Sequence, residues 1–105
     1  MEFEELIRGF VNEIKNVNHD IVVVAHCTGR YLLIRLEHDY HKVVGKELLI
    51  AVIKINLITG RKKVLSASDL NYNKMSREKL QELMIVARSI EVPFGKKQMY
   101  FYNIY

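Results

Sequence analysis

The chain has few of the residues on which small disulfide-rich or metal-stabilised domains depend. Its 105 residues include one cysteine, one proline, five glycines and no tryptophan. Because a single cysteine cannot form an internal disulfide, the fold must be held together by a hydrophobic core. A chain of 12.3 kDa buries about two-thirds of its extended surface on folding, which is enough for such a core. We expect a single domain spanning residues 1–105.

Long apolar runs and a secretory leader are also missing. The longest uninterrupted apolar run covers residues 48–53, whereas a membrane-spanning helix needs about 20 apolar residues. The chain begins with three glutamates among its first five residues, where a secretory signal carries positive charge. These features predict a soluble, cytoplasmic protein with no membrane partner.

The glycines are too widely spaced for the loops that bind nucleotide phosphates. They stand at positions 9, 29, 45, 60 and 95, so any two are at least fifteen residues apart. Dinucleotide fingerprints and Walker A loops need clustered glycines, because the backbone amides must approach the phosphates closely. We therefore predict no nucleotide cofactor, and we expect no other cofactor.

Basic residues exceed acidic ones, and the excess is unevenly distributed. The formal net charge of the chain is +4. Residues 1–58 contain seven Lys/Arg and eight Asp/Glu, whereas residues 59–105 contain nine Lys/Arg and four Asp/Glu. A basic carboxyl half favours an anionic partner, although the same charge also keeps a small domain soluble.

Hydrophobic periodicity predicts two helices and five strands. Apolar residues at spacings of three and four indicate helices that bury one face, and β-branched or alternating runs indicate strands. The tight turns after the first and third strands require antiparallel neighbours. The predicted elements are a helix over 3–17, strands over 21–27, 31–37, 47–58 and 62–67, a helix over 77–91 and a strand over 96–105. We therefore predict an α+β two-layer sandwich, a mainly antiparallel sheet with two amphipathic helices in the order α-β-β-β-β-α-β.

Alternation along the first predicted hairpin assigns its side chains to two faces. The face expected to point inward carries Ile21, Val23, Ala25, Cys27, Leu32, Ile34 and Leu36. Cys27 is therefore interpreted as a buried structural thiol rather than a nucleophile. The opposite face is too apolar for a plain solvent surface, because Val22, Val24 and Leu33 lie on it beside polar residues.

The third predicted strand is longer than a domain of this size is wide. If extended, residues 47–58 would span about 40 Å. A domain of this length is about 30 Å across. We expect this strand to bend, to contain a bulge or to project.

One catalytic hypothesis involves the outer face of the sheet. His26, Arg35 and Lys54 could provide the base and the cations of a metal-independent ribonuclease. A histidine on a half-apolar face is more often packed and hydrogen-bonded than catalytic. We therefore expect no catalytic residues, and we retain this set as the alternative.

A second cluster of chemically capable residues lies near position 40. His38, Asp39 and His41 are residue types that ligate zinc, nickel or manganese. Their spacing is not diagnostic, and no cysteine pair or second histidine pair completes a site. The simpler interpretation is a solvated loop without metal.

Basic and aromatic residues in the carboxyl half are the better candidates for binding. Cations can contact phosphate and rings can stack on bases. The same lysines could instead protect a strand edge from aggregation, and alternate rings of a terminal strand could fill the core. The candidate binding residues are Arg61, Lys62, Lys63, Lys96, Lys97, Tyr100 and Tyr102.

The last strand and the second helix also predict self-association. Tyrosine is enriched at interface cores, and Ile85 lies off the apolar stripe of its helix. The candidate interface residues are Ile85, Tyr102 and Tyr105. The leading hypothesis is a small non-catalytic binding module, a homodimer that acts through a protein interface and could engage an anionic partner, another protein or nucleic acid, through its basic carboxyl half. The alternative is an RNA-binding protein or a small metal-independent endoribonuclease.

Overall fold

Two helices and five strands make up the part of the chain that the computed structural model describes, namely residues 3–39, 49–66, 75–93, 95 and 99–105. In chain order they are α1 (Phe3–Val17), β1 (Ile21–Gly29), β2 (Tyr31–His38), β3 (Leu49–Asn56), β4 (Lys62–Ser66), α2 (Arg77–Ser89) and β5 (Met99–Ile104). The strands form one open antiparallel sheet in the order β4-β3-β2-β1-β5. The predicted α+β class and element order are confirmed.

Helix α1 forms where apolar side chains recur at helical spacing. Ile7, Phe10, Val11 and Ile14 are buried. Glutamates in its first turn face the positive end of the helix dipole. The helix packs on β1 and on α2, so its apolar stripe closes one side of the core. No helix in the described part of the chain is long and apolar enough to cross a membrane.

The first hairpin has the register that alternation predicts. Thr28 pairs with Tyr31, which leaves Gly29 and Arg30 as a two-residue turn. Gly29 takes a φ of 65°, a left-handed conformation that glycine adopts without a steric penalty. The predicted inward face of this hairpin is buried in the hydrophobic core, including Cys27.

The expected irregularity of the third strand is a bulge. Leu36 pairs with Ala51 and Glu37 pairs with Leu49, so Ile50 is an extra residue in β3. Ile50 is buried and belongs to the core cluster. The observed strand begins at Leu49, and residues 47–48 of the predicted strand lie outside the described residues.

The Asn56 side chain adds hydrogen bonds to the backbone hydrogen bonds that close the second hairpin. The Asn56 Oδ1 atom accepts hydrogen bonds from the backbone N–H groups of Ile58 at 2.9 Å and Thr59 at 3.1 Å. Gly60 then takes a φ of 77°. Asparagine and glycine are suited to these two positions because of the short polar side chain of the first and the missing Cβ of the second.

Helix α2 begins at the predicted residue, Arg77, and ends at Ser89, two residues earlier than predicted. The Ser76 Oγ atom accepts a hydrogen bond from the Lys79 N–H at 3.2 Å. Ile90 is already extended, with φ −64° and ψ 130°. The Lys62 Nζ atom donates hydrogen bonds to the carbonyls of Arg88 and Ile90. A cation from β4 therefore caps the negative end of this helix.

We expect Lys62→Met to lower the free energy of unfolding by about 1–2 kcal/mol, because the last carbonyls of α2 lose a charged donor. Urea-induced unfolding followed by circular dichroism measures the change. Lys63→Met is the matched control, since Lys63 is the next residue of the same strand and points to the other face of the sheet. Equal losses of stability in the two variants would contradict the capping role.

Candidate functional site

The two faces of the sheet differ in what packs against them. Both helices cover one face, where the core lies. We call the other face the open face. Its main side chains are Val24, His26, Tyr31, Leu33, Arg35, Val52, Lys54, Lys63, Leu65, Tyr100, Tyr102 and Ile104. These residues come from all five strands, so the open face is a surface that the whole sheet builds.

Strand register arranges these side chains in rows that cross the sheet from β5 to β4. The row that we call the His26 row consists of Tyr102, His26, Leu33, Lys54 and Lys63. The neighbouring Arg35 row consists of Ile104, Val24, Arg35, Val52 and Leu65. The first row is polar at both ends, and the second surrounds one cation with apolar side chains.

A pocket of about 150 Å³ lies between the two rows. It is lined by Val24, His26, Leu33, Arg35, Val52 and Tyr102. The aliphatic side chains form apolar walls, and three polar side chains can orient a ligand. A cavity of this volume holds one ring of about the size of benzene. The pocket can therefore accept a single planar ring.

Three contacts fix the polar side chains of the open face. The His26 and Tyr102 rings meet edge to face, with centroids 5.4 Å apart. The Arg35 Nε atom lies 3.1 Å from the Glu37 Oε2 atom. The Lys54 Nζ atom lies 4.3 Å from the centre of the Tyr31 ring, within the range of a cation–π interaction.

The charges of the open face are mainly positive. Lys54 and Lys63 are directly opposite each other in the β3–β4 register. Like charges at opposite positions of neighbouring strands repel, at a cost of about 0.2–1 kcal/mol. Among the strand residues described, Glu37 is the one acid on this face. An anion placed between the two lysines would therefore remove a repulsion that the protein alone retains.

Of the seven large apolar side chains that are exposed among the described residues, five lie on the open face. Tyr100 and Tyr102 expose 83% and 53% of their surface, and Leu65 exposes 54%. Tyr31 and Ile104 are also exposed there. A concentration of exposed apolar side chains with polar neighbours is typical of an interaction surface.

The sheet brings the predicted catalytic set onto one face. His26 and Lys54 belong to the same row with Leu33 between them, which separates their Cα atoms by about 10 Å. Arg35 lies in the neighbouring row, two residues along β2. Their common face follows the predicted alternation, while their catalytic role is still a hypothesis.

The predicted binding residues divide between two sides of the sheet. Lys63, Tyr100 and Tyr102 lie on the open face, and Arg61 is exposed just before β4. Lys62 points to the helix side and caps α2. Lys96 and Lys97 lie outside the described residues.

The predicted interface residues do not form one patch. Tyr102 is on the open face, whereas Ile85 is exposed on α2, which covers the other face. Tyr105 continues the pairing of β5 with Val23 and packs against the core. Any interface that uses Tyr102 therefore leaves Ile85 on the far side of the sheet.

The remaining chemical candidates are the histidine cluster near position 40 and the thiol of Cys27. His38 ends β2 and Asp39 follows it, and the hypothetical metal-ligand set lies partly outside the described residues, because these do not include His41. Cys27 is buried. Burial raises the pKa of the Cys27 thiol, which lowers the thiolate fraction and disfavours a nucleophilic role.

Sequence reasoning did not select Tyr31, Leu65 or Ile104 as site residues. Tyr31 alternates with Leu32 and so lies on the outer face of the first hairpin, where it contacts Lys54 of β3. Alternation along β5 places Ile104 with Tyr100 and Tyr102, a signal that the sequence does contain. Which strand lies beside which determines the site, and periodicity carries no such information.

Comparison of the chain with protein-family models, curated proteins and solved structures finds no match. A function must therefore be inferred from the residues of the open face.

Proposed function

We propose that the chain is a non-catalytic binding module whose open face binds single-stranded nucleic acid. The observation that carries this proposal is the presence of exposed tyrosine rings and of paired lysines on the same face of one sheet. Nucleic acid has bases that stack on rings and phosphates that attract cations. A surface that offers both kinds of group matches both parts of this ligand.

The rings favour a single strand over a duplex. Tyr100 and Tyr102 are successive open-face residues of β5, about 7 Å apart along the strand. Bases can stack on such side chains only when they are unpaired, and each stack contributes about 1–3 kcal/mol. The ring-sized pocket beside Tyr102 offers a further place for an unpaired base.

The cations favour a phosphate backbone. Lys54 and Lys63 face each other across β3 and β4, on the same face as the tyrosines of β5 but towards the opposite edge of the sheet. A nucleic-acid strand that lies along the His26 row would present its bases to the tyrosine rings at one end of the row. Its phosphates would reach the two lysines at the other end. Release of counterions from the phosphates then adds a favourable, salt-dependent contribution to binding.

Fluorescence anisotropy with a labelled oligonucleotide tests the proposal. The probes are a single-stranded RNA of mixed sequence, the single-stranded DNA of the same sequence and the corresponding duplex, each at low and at physiological salt. We expect both single strands to bind more tightly than the duplex, with an affinity that falls as salt rises. Absence of binding to either single strand at low salt would overturn the proposal and favour a protein partner.

A charge variant identifies the face that binds. Lys63→Met removes one phosphate contact, so the slope of log K against log salt should become shallower by about 0.7. Lys79→Met is the matched control, because Lys79 is an exposed lysine of α2 on the helix side. Equal slopes for the two variants would place the binding surface elsewhere.

Incubation of the RNA with the protein and a chelator tests the non-catalytic part of the proposal. We expect the RNA to stay intact. Cleavage that persists with the chelator and is lost in His26→Ala would instead show the ribonuclease alternative to be right.

A further inference from the structure

The carboxyl-terminal strand β5 is an edge of the sheet formed by the described strands, since it pairs with β1 alone. The backbone groups of Val23 and Tyr105 exchange two hydrogen bonds, of 3.2 and 2.8 Å. Hydrogen-bonded and non-hydrogen-bonded pairs alternate along an antiparallel ladder. Asn103 and Phe101 therefore bond to β1, whereas the N–H and C=O groups of Tyr100, Tyr102 and Ile104 point away from it.

The two edges of the sheet differ in their protection against strand pairing. Edge strand β4 carries Lys62 and Lys63, and β5 contains no charged residue from Met99 to Ile104. Lysines on an edge hinder the approach of a second strand, because like charges would be brought together. Of the two described edge strands, β5 therefore lacks the protection that the lysines give β4.

From this geometry we infer that β5 pairs in antiparallel fashion with β5 of a second copy of the chain, about a two-fold axis at Tyr102. This inference does not rest on the proposed nucleic-acid binding, although Tyr100 and Tyr102 take part in both. Antiparallel pairing of a strand with itself is self-complementary, as a two-fold interface requires. An uncharged edge brings no like charges together at the axis, so a second copy is an electrostatically compatible partner.

The centre of pairing follows from which backbone groups point outward. With Tyr102 opposite Tyr102 of the partner subunit, Tyr100 lies opposite Ile104 of the partner subunit. All three outward-pointing residues of each strand are then used, and each facing pair exchanges two hydrogen bonds. Centring the axis on Phe101 or Asn103 would use only two of the three. The register about Tyr102 therefore satisfies the most backbone groups.

The proposed pairing also covers exposed apolar side chains. Tyr100 and Ile104 are both largely exposed in the single chain, and cross-strand pairs of aromatic and β-branched side chains stabilise a sheet. The two-fold axis is perpendicular to the sheet, so the open faces of both copies lie on the same side. A contact of one strand per chain is smaller than a standard protein interface, so we expect association in the micromolar range.

Sedimentation equilibrium of the full chain, without nucleic acid, tests the pairing. We expect a mass of two 12.3 kDa chains in the upper micromolar range. Tyr102→Lys places like charges together at the axis, so the dissociation constant should rise at least about tenfold. Leu65→Lys is the matched control, because Leu65 and Tyr102 expose 54% and 53% of their surface on opposite edges of the same face. Its dissociation constant should equal that of the parent chain.

Disulfide trapping provides a second measurement. Residues in a hydrogen-bonded antiparallel pair have Cα atoms about 5.5 Å apart, which suits a disulfide. Oxidised Tyr102→Cys should form a covalent dimer on a non-reducing gel, and Leu65→Cys should not. Circular dichroism verifies that each variant is folded.

Several results would overturn the inference. They are a monomer mass for the parent chain at every concentration, an unchanged dimer in Tyr102→Lys, and equal trapping at the two cysteine positions. Because no nucleic acid is present, these outcomes do not depend on whether the open face binds RNA or DNA.

Discussion

Phe10→Ala is expected to lower the free energy of unfolding by about 3–5 kcal/mol. Phe10 is 4% exposed and belongs to the core between α1 and the sheet. Truncation removes the transfer free energy of the ring and leaves a cavity that close-packed neighbours fill only in part. Because a small domain has a total stability of about 5–15 kcal/mol, the variant should lose a large share of its stability.

Urea-induced unfolding of the parent chain and the variant measures this loss. Ile85→Ala is the control, since Ile85 is an exposed apolar residue of the other helix, and its stability should change by no more than about 0.5 kcal/mol. If Phe10→Ala and Ile85→Ala unfold at the same urea concentration, the apolar stripe of α1 is not what holds the helix on the sheet.

The second large effect is expected for Tyr100→Ala combined with Tyr102→Ala. If each ring stacks on a base, the pair contributes at least about 2 kcal/mol, and its loss weakens binding of single-stranded RNA about 30-fold or more. Both rings are exposed on an edge strand. Their removal should therefore affect binding far more than stability.

The control for this effect is Leu65→Ala. Leu65 has the exposure of Tyr102 and lies on the same face, but it has no ring. Anisotropy titrations at one salt concentration should give an unchanged affinity for Leu65→Ala. An equal decrease in both proteins would mean that apolar contact in general, rather than stacking, determines affinity, and it would contradict the proposed mode of binding.

Local patterns were sufficient to predict the elements and the first hairpin. Helical spacing identified α1 and α2. Alternation assigned the faces of β1 and β2, because a short turn fixes the register of neighbouring strands. The bulge at Ile50 was expected as one of three solutions for an overlong strand, but its position depends on packing between strands.

The candidate site was predicted in part, because local patterns determine some of its contacts and the pairing of distant strands determines the others. His26, Arg35 and Lys54 share a face because β1, β2 and β3 are consecutive antiparallel strands. The contact of Tyr102 with His26 requires β5 to lie beside β1, and a pairing between distant segments leaves no periodic signal. Lys62 and Lys63 were grouped as one basic cluster, yet the two-residue period of a strand separates them onto opposite faces.

The position of β5 beside β1 has a consequence for the order of folding. Strands β1 to β4 follow one another as a meander, so each pairing closes a short stretch of chain. The pairing of Gly29 with Met99 instead closes most of the chain, at a greater entropic cost. Contacts so distant in sequence form slowly. We therefore expect the meander to assemble first and β5 to dock last. The sheet edge that β5 provides would then form only in the final step of folding.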